Sequence, residues 1–120
     1  MQRIALALAL LLSTSPAFAA LKAGTRATDF TTQAVLAGKA DTFNLNKALK
    51  RGPVVLYFYP KAFTSGCTVE AHEFSEAADD FAAYGASLVG MSADNIDTLK
   101  RFSVEACRNK FAVGIATKPM

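Results

Sequence analysis

The chain has 120 residues, 13 Lys and Arg against 10 Asp and Glu, a formal charge of +3, two cysteines and one histidine. That length supports one domain at most, and charges of both signs are interspersed without a basic stripe, which argues against nucleic acid as a partner. Two cysteines and His72 fall short of a zinc site of the usual kind, so neither a metal nor a cofactor is expected.

Residues 1–19 read as a secretory signal peptide. Gln2-Arg3 is a short basic region, residues 4–12 are an apolar stretch too short to span a bilayer, and "STSPAFA" ends in small residues at Ala17 and Ala19. A core helix or membrane anchor is the alternative, and the lack of a following stop-transfer pattern counts against it. Cleavage would leave one domain, residues 20–120, exported to a destination expected to be a Gram-negative periplasm and free of the membrane. Loss of Arg3 would lower the charge to about +2. A domain of about 100 residues buries roughly two-thirds of its unfolded surface in one modest core. In an oxidising compartment two cysteines allow a single intramolecular pairing, Cys67 with Cys107.

Further along, "LKAGTRATDFTTQAVLAGK" reads as a turn-rich lead-in with short extended pieces. In "DTFNLNKALKRG", Asn44 or Asn46 is a candidate cap for a brief helical turn that Gly52 ends. Pro53 opens "VVLYFY", a continuous apolar run suited to a strand buried on both faces. Residues 64–84 carry Ala71, Phe74, Ala78 and Phe81 at helical spacing, with Gly85 as terminator. "ASLVGMSA" is a second buried strand. "DNIDTLKRFSVEACRNK" is a second helix capped by Asp94 or Asn95, with Ile96, Leu99, Ser103 and Ala106/Cys107 on one face. "FAVGIA" opens a third strand. This β-α-β-α-β alternation predicts an α/β fold with a parallel sheet and right-handed crossovers. Ending on a short strand would leave one sheet edge that nothing in the chain covers.

The stretch "PKAFTSGCTVEA" places Cys67 where a strand ends and a helix begins. With Thr64 as N-cap, Cys67 falls at the third helical position, facing unpaired N–H groups and the positive end of the helix dipole. Thiolates so placed can titrate well below the free-cysteine value of about 8.5. Ala71, Phe74 and Ala78 continue the same face, which sets the sulfur at the base of a pocket. Pro60 ends the strand and stiffens the loop, Gly66 lets a backbone N–H approach the sulfur's partner, and Thr64 offers a hydroxyl. The set suits a small polar molecule attacked by sulfur; a buried, inert cysteine is the plainer alternative.

Pro60, Thr64 and Cys67 reproduce the P-x-x-x-T-x-x-C signature of the peroxiredoxins, and "YFYPKAFTSGCTVEA" most resembles the bacterioferritin-comigratory-protein, or PrxQ, branch of that AhpC/TSA-like family. "GTRATDF" is similar to the family's opening G-x-x-A-P-D-F, with Thr28 where proline is usual. The resemblance implies a thioredoxin-like fold and a thiol peroxidase acting on hydrogen peroxide or organic hydroperoxides. Cys67 would be the peroxidatic cysteine, passing through a sulfenic acid. Thr64 would bind thiolate and peroxide, Pro60 would shield the pocket, and Gly66 and Glu70 would serve substrate binding, Glu70 by orienting an arginine. Cys107 is the candidate resolving cysteine, and a thioredoxin-like protein the expected reductant of a monomer or weak dimer. Some relatives carry the resolving cysteine where this chain has His72, to which no role is given.

One departure is larger. The family takes an active-site arginine from a later strand, whereas Arg101 and Arg108 fall on the second helix. The chain ends before that strand would begin, so the expectation is a C-terminally truncated product. The competing reading is an impaired thioredoxin-like remnant that acts at most as a binding module. A disulfide oxidoreductase is a third reading, and the absence of C-x-x-C counts against it.

Overall fold

The computed structural model describes residues 21–118; the expected signal peptide lies outside the described residues. Eight elements follow in order: β1 (Thr31–Leu36), β2 (Lys39–Asn44), α1 (Leu45–Leu49), β3 (Val54–Phe58), α2 (Ser65–Ala83), β4 (Ser87–Ser92), α3 (Ile96–Glu105) and β5 (Ala112–Ile115). The strands form one sheet in the order β2-β1-β5-β4-β3. The β-α-β-α-β alternation is present as β3-α2-β4-α3-β5, and these three strands run parallel.

The sheet is mixed rather than parallel throughout. β1 is antiparallel to both β2 and β5, and the end of the segment read as a lead-in forms a hairpin with residues 40–44 beyond it. Its two-residue turn places Ala37 and Gly38 at φ 51° and 77°, the left-handed pair that matches the twist of flanking strands. The turn is tied to α3, where the buried Ser103 hydroxyl accepts from the Gly38 N–H at 2.9 Å and donates to the Lys100 carbonyl at 2.8 Å.

Docking of that hairpin also changes the edges. β5, expected at an open edge, is an inner strand held between β1 and β4 by Ala34↔Gly114 and Met91↔Gly114 pairing. The Thr32 hydroxyl adds a bond to the Ile115 carbonyl at 2.7 Å. The edges are β2 and β3. β3 is therefore only part-buried, with Phe58 57% exposed, rather than enclosed on both faces.

Alternation along the strands divides the core. Val55, Tyr57, Leu88, Val113 and Ile115 share one buried cluster with Ala71, Phe74, Leu99 and Phe102 of the two long helices and with Ala106 just behind α3. Gly90 belongs to that face because an added Cβ would stand 2.8 Å from the Tyr57 ring. Asn44, not Asn46, caps α1: its side-chain oxygen accepts the Lys47 N–H at 2.8 Å, and its amide donates to Asp29. Asp29 in turn accepts the Asn46 N–H at 2.9 Å. The Asp-Phe of the lead-in motif thus has a structural task, because Phe30 also accepts the Leu45 N–H and packs its ring on Phe43.

The second helix is shorter than its sequence pattern suggested. Asn95 caps α3, accepting the Thr98 N–H at 2.9 Å, and the helix stops at Glu105. Arg108 and Asn109 then take positive φ, 52° and 62°. Cys107 and Arg108 consequently sit in the turn behind α3, not on the helix.

Candidate active site

The parallel strands β3 and β4 deliver their carboxyl ends to one side of the sheet, the usual ligand-binding side of an α/β fold. β3 feeds the segment 59–64 and then the first turn of α2. Thr64 is the N-cap, in extended conformation, and Cys67 is the third helical residue. The geometry at that N-terminus is open: Thr64 makes no side-chain capping bond, and the first turn holds no acidic residue. The Thr64 hydroxyl instead donates to the Lys61 carbonyl at 2.9 Å, leaving its oxygen free to accept.

The first-turn N–H groups of Gly66 and Cys67 therefore receive no capping bond from Thr64, and the positive end of the α2 dipole stands uncompensated. Cys67 is 8% exposed, whereas Thr64, Ser65 and Gly66 are open to solvent. Its thiol lies just beneath a surface lined with donors. Pro60 is exposed at the start of the loop, and Glu70 lies one turn further along α2, also exposed. No ion pair among the described residues includes Glu70. The two arginines beyond Cys67 have other partners: Arg101 pairs with Glu105 at 3.7 Å, and Arg108 with Glu76 at 3.6 Å.

Cys107 belongs to the same buried cluster as Cys67, and both thiols are free. α2 and α3 both run from the carboxyl ends of the strands toward their amino ends. Cys67 opens one helix and Cys107 follows the end of the other, so they differ in level by roughly two helical turns. Burial pushes the Cys107 thiol up to about 12.

Three features had no signal in the spacing of the motif. The first is an aromatic floor. Tyr59 stacks on Phe102 at 5.4 Å, Tyr57 lies 4.4 Å from Phe74, and Phe63 meets Phe102 edge-on at 5.2 Å. The second is a pair of buried phenols: the Tyr57 hydroxyl has no hydrogen-bond partner, and the Tyr59 hydroxyl meets no acceptor or donor in good geometry. Burial foremost, with both thiols adding, raises these phenols above their ordinary range; near Tyr59 the Ser92 hydroxyl opposes the rise. The third is Asp94. Since Asn95 takes the capping role, Asp94 is free to reach across to the loop and accept the Ala62 N–H at 2.8 Å.

A groove of about 460 Å³ lined by Leu21, Phe30, Leu45, Leu56 and Phe58 lies on the opposite face of the sheet and includes neither cysteine. The chemistry available is at the α2 N-terminus, where nucleophile and donors coincide. Among the described residues no cluster of His, Cys, Asp and Glu is placed to hold a metal, and no helix is long and apolar enough to cross a membrane.

The family model described as AhpC/TSA family matches residues 23–115. The chain belongs to the AhpC/TSA family. It is 42% identical over 62 residues to peroxiredoxin Q, chloroplastic, of Populus jackii, covering 52% of this chain and 29% of that protein. It is 39% identical over 56 residues to peroxiredoxin Bcp of Escherichia coli K12, covering 47% and 36%. The chain spans well under half the length of the curated relatives it matches. Among solved structures it resembles peroxidoxin BcpB from Mycobacterium tuberculosis, with 36% identity and TM-score 0.65 over 73% of this chain and 55% of that one. These AhpC/TSA neighbours share the thioredoxin-like α/β fold, which is the fold of this chain.

Proposed function

We propose that the chain is a thiol-dependent peroxidase whose nucleophile is Cys67. The supporting observation is the α2 N-terminus: a nearly buried thiol at the third helical position, beneath first-turn N–H groups that no Thr64 side chain caps. The Cys67 thiolate attacks one oxygen of a hydroperoxide, forming an S–O bond as the O–O bond breaks. Sulfur gives up two electrons, and the leaving oxygen takes a proton to depart as water or an alcohol. The N–H groups of Gly66 and Cys67 face the charge that moves from sulfur to oxygen, and the Thr64 hydroxyl accepts from the peroxide O–H. Pro60 closes the loop side, and Glu70 marks the outer rim. The Cys107 thiol then attacks the sulfenic sulfur and releases water. A thioredoxin-like dithiol supplies two electrons to reduce that disulfide. The protein works as a monomer or weak dimer, exported behind residues 1–19 to the periplasm.

The test is stopped-flow reaction of the protein with hydrogen peroxide, beside Cys67→Ser. The expected result is a second-order rate constant well above that of a free thiol, lost in the variant. A folded protein, by far-UV CD, that consumes peroxide no faster than Cys67→Ser would overturn the reading and favour a binding module. Export is checked by N-terminal sequencing of exported protein, expected to start at Ala20; a start at Met1 overturns that part.

A further inference from the structure

The loop between β3 and α2 carries the whole approach to Cys67, yet its backbone is not held by the sheet. The last ladder-like bond is the Tyr59 N–H to the Met91 carbonyl at 3.0 Å. Beyond it Phe63 sits at φ 66°, a left-handed conformation that costs a bulky residue about 1–2 kcal/mol. Such a conformation persists only where surrounding contacts impose it. The Phe63 ring is braced by Phe102 at 5.2 Å and by the Arg101 guanidinium at 4.9 Å. One polar contact reaches the loop's buried backbone. The N–H of Ala62, a residue 5% exposed, donates to Asp94 Oδ2 at 2.8 Å. The same oxygen accepts the Ser92 hydroxyl at 2.7 Å. Ser92 is 2% exposed at the end of β4, and its Oγ accepts the Asp94 N–H at 3.3 Å.

Resting on the reading of Cys67 as the peroxide nucleophile, we infer that Asp94 is a positioning residue for that reaction. It locks the Pro60–Cys67 approach to the end of β4, through Ala62, at the height where the α2 N–H groups meet the peroxide. Its carboxylate is suited to the task because one charged oxygen serves two donors. Charge-assisted bonds of this kind are shorter and about twice as strong as neutral ones. Without it the Ala62 N–H would be buried unpaired. The strained Phe63 would then relax, carrying Thr64 and the start of α2 with it. A shift of about 1 Å at reacting atoms can cost about a hundredfold in rate. None of the hydrogen bonds made by Asp94 and Ser92 involves Cys67, so alkylation, which needs no peroxide alignment, serves as the reference reaction.

The experiment compares the parent protein with Asp94→Ala, Asp94→Asn and Ser92→Ala on three readouts. These are the rate of Cys67 with hydrogen peroxide, its rate with iodoacetamide, and amide hydrogen exchange at Ala62. Asp94→Ala is expected to slow the peroxide reaction about tenfold to a hundredfold while iodoacetamide alkylation changes less than about threefold. Asp94→Asn keeps an oxygen for the Ala62 N–H and should recover most of the peroxide rate. Ala62 should lose at least about tenfold in exchange protection in Asp94→Ala and keep it in Asp94→Asn. Ser92→Ala, the milder change, should move the same way and decides the matter if Asp94→Ala does not fold by CD. Unchanged exchange at Ala62, equal losses in the Ala and Asn variants, or peroxide and alkylation rates falling together would each overturn the inference. A parent protein inert to peroxide sinks the proposed function, and the Ala62 exchange then still judges whether Asp94 holds the loop.

Discussion

Cys107 is a poor nucleophile where the fold puts it. The residue has no exposed surface, and burial pushes its thiol up to about 12. Near pH 7.5 such a thiol holds about a thousandfold less thiolate than a free cysteine, equivalent to about 4 kcal/mol. Condensing with a sulfenic acid at Cys67 must therefore begin with opening of the turn behind α3. That turn is irregular: Arg108 and Asn109 are in left-handed conformations, and two ion pairs tie it to α2. Arg108–Glu76 spans 3.6 Å and Lys110–Asp79 spans 3.4 Å, both between largely solvated side chains. Exposed pairs of this kind are worth about 0–1 kcal/mol each.

Removing both ties, with Arg108→Ala and Lys110→Ala together, should lower the cost of opening by about 1 kcal/mol, or about fivefold in open population. The assay is alkylation of Cys107 in a Cys67→Ser background at pH 7.5, quenched in time and read by mass spectrometry. Cys107 in the otherwise unaltered turn should react at least about a hundredfold more slowly than in urea-unfolded protein, and about fivefold faster once both ties are gone. Native CD throughout must accompany the comparison. Alkylation of Cys107 at the free-thiol rate, with the CD signal intact, would refute the reasoning, because the thiol would then be reactive without leaving its site.

Other outcomes follow from single residues. Because the folded pKa of Cys107 is raised, its contribution to stability is complete below the ordinary thiol value and is lost as pH climbs toward about 12. Urea unfolding at pH 8.5 and pH 10 should thus show the parent losing about 1–2 kcal/mol more than Cys107→Ala over that interval; the buried phenols are present in both proteins and cancel in the comparison. Asn44→Ala removes the α1 cap and should cost about 1–2 kcal/mol by thermal unfolding. The Asp29 carboxyl is held low by the Asn46 N–H and then by the Asn44 side chain, so its stabilisation is present above the ordinary value and lost as pH falls; Asn44→Ala should flatten that acid limb. Phe102→Ala empties the contact between Tyr59 and Phe63 and should destabilise by about 3–5 kcal/mol, read by urea titration.

The elements easiest to read were those whose signal is local and periodic. α2 runs over Ser65–Ala83 inside the expected 64–84, because Ala71, Phe74 and Ala78 mark one face and Gly85 stops it. β4 was equally plain, since Leu88, Val89 and Met91 are buried in one short run. The β1–β2 hairpin was not legible as such. Its turn is Ala-Gly, which lacks the asparagine or aspartate that advertises two left-handed residues, and the strands around it are too polar to alternate clearly. Missing the hairpin misplaced the edges: β5 gains its second neighbour only from β1, whose pairing residues lie about eighty positions away. α3 ran short for a related reason. Cys107 continues the helical burial pattern to 0% exposure, but it does so from a turn, and periodicity does not distinguish the two.

At the candidate site the division is between covalent neighbours and distant ones. Thr64, Gly66 and Cys67 lie within one helical turn, so the rule that a helix begins with unpaired donors was enough to bring them together from the sequence. The same rule assigned Asp94 and Asn95 to one task, because either residue suits a cap. Asn95 alone performs it, accepting from Thr98 three residues on. Asp94 is thereby released to a partner 32 positions earlier, the Ala62 N–H in the loop that leads to Cys67. No spacing rule encodes that contact, since it exists only once β3 and β4 are paired and Tyr59 is fixed to Met91. The proposed nucleophile was legible as a candidate because its electrostatics come from its own helix. The residue proposed to aim it was not, because its contact with the loop is set by strand pairing.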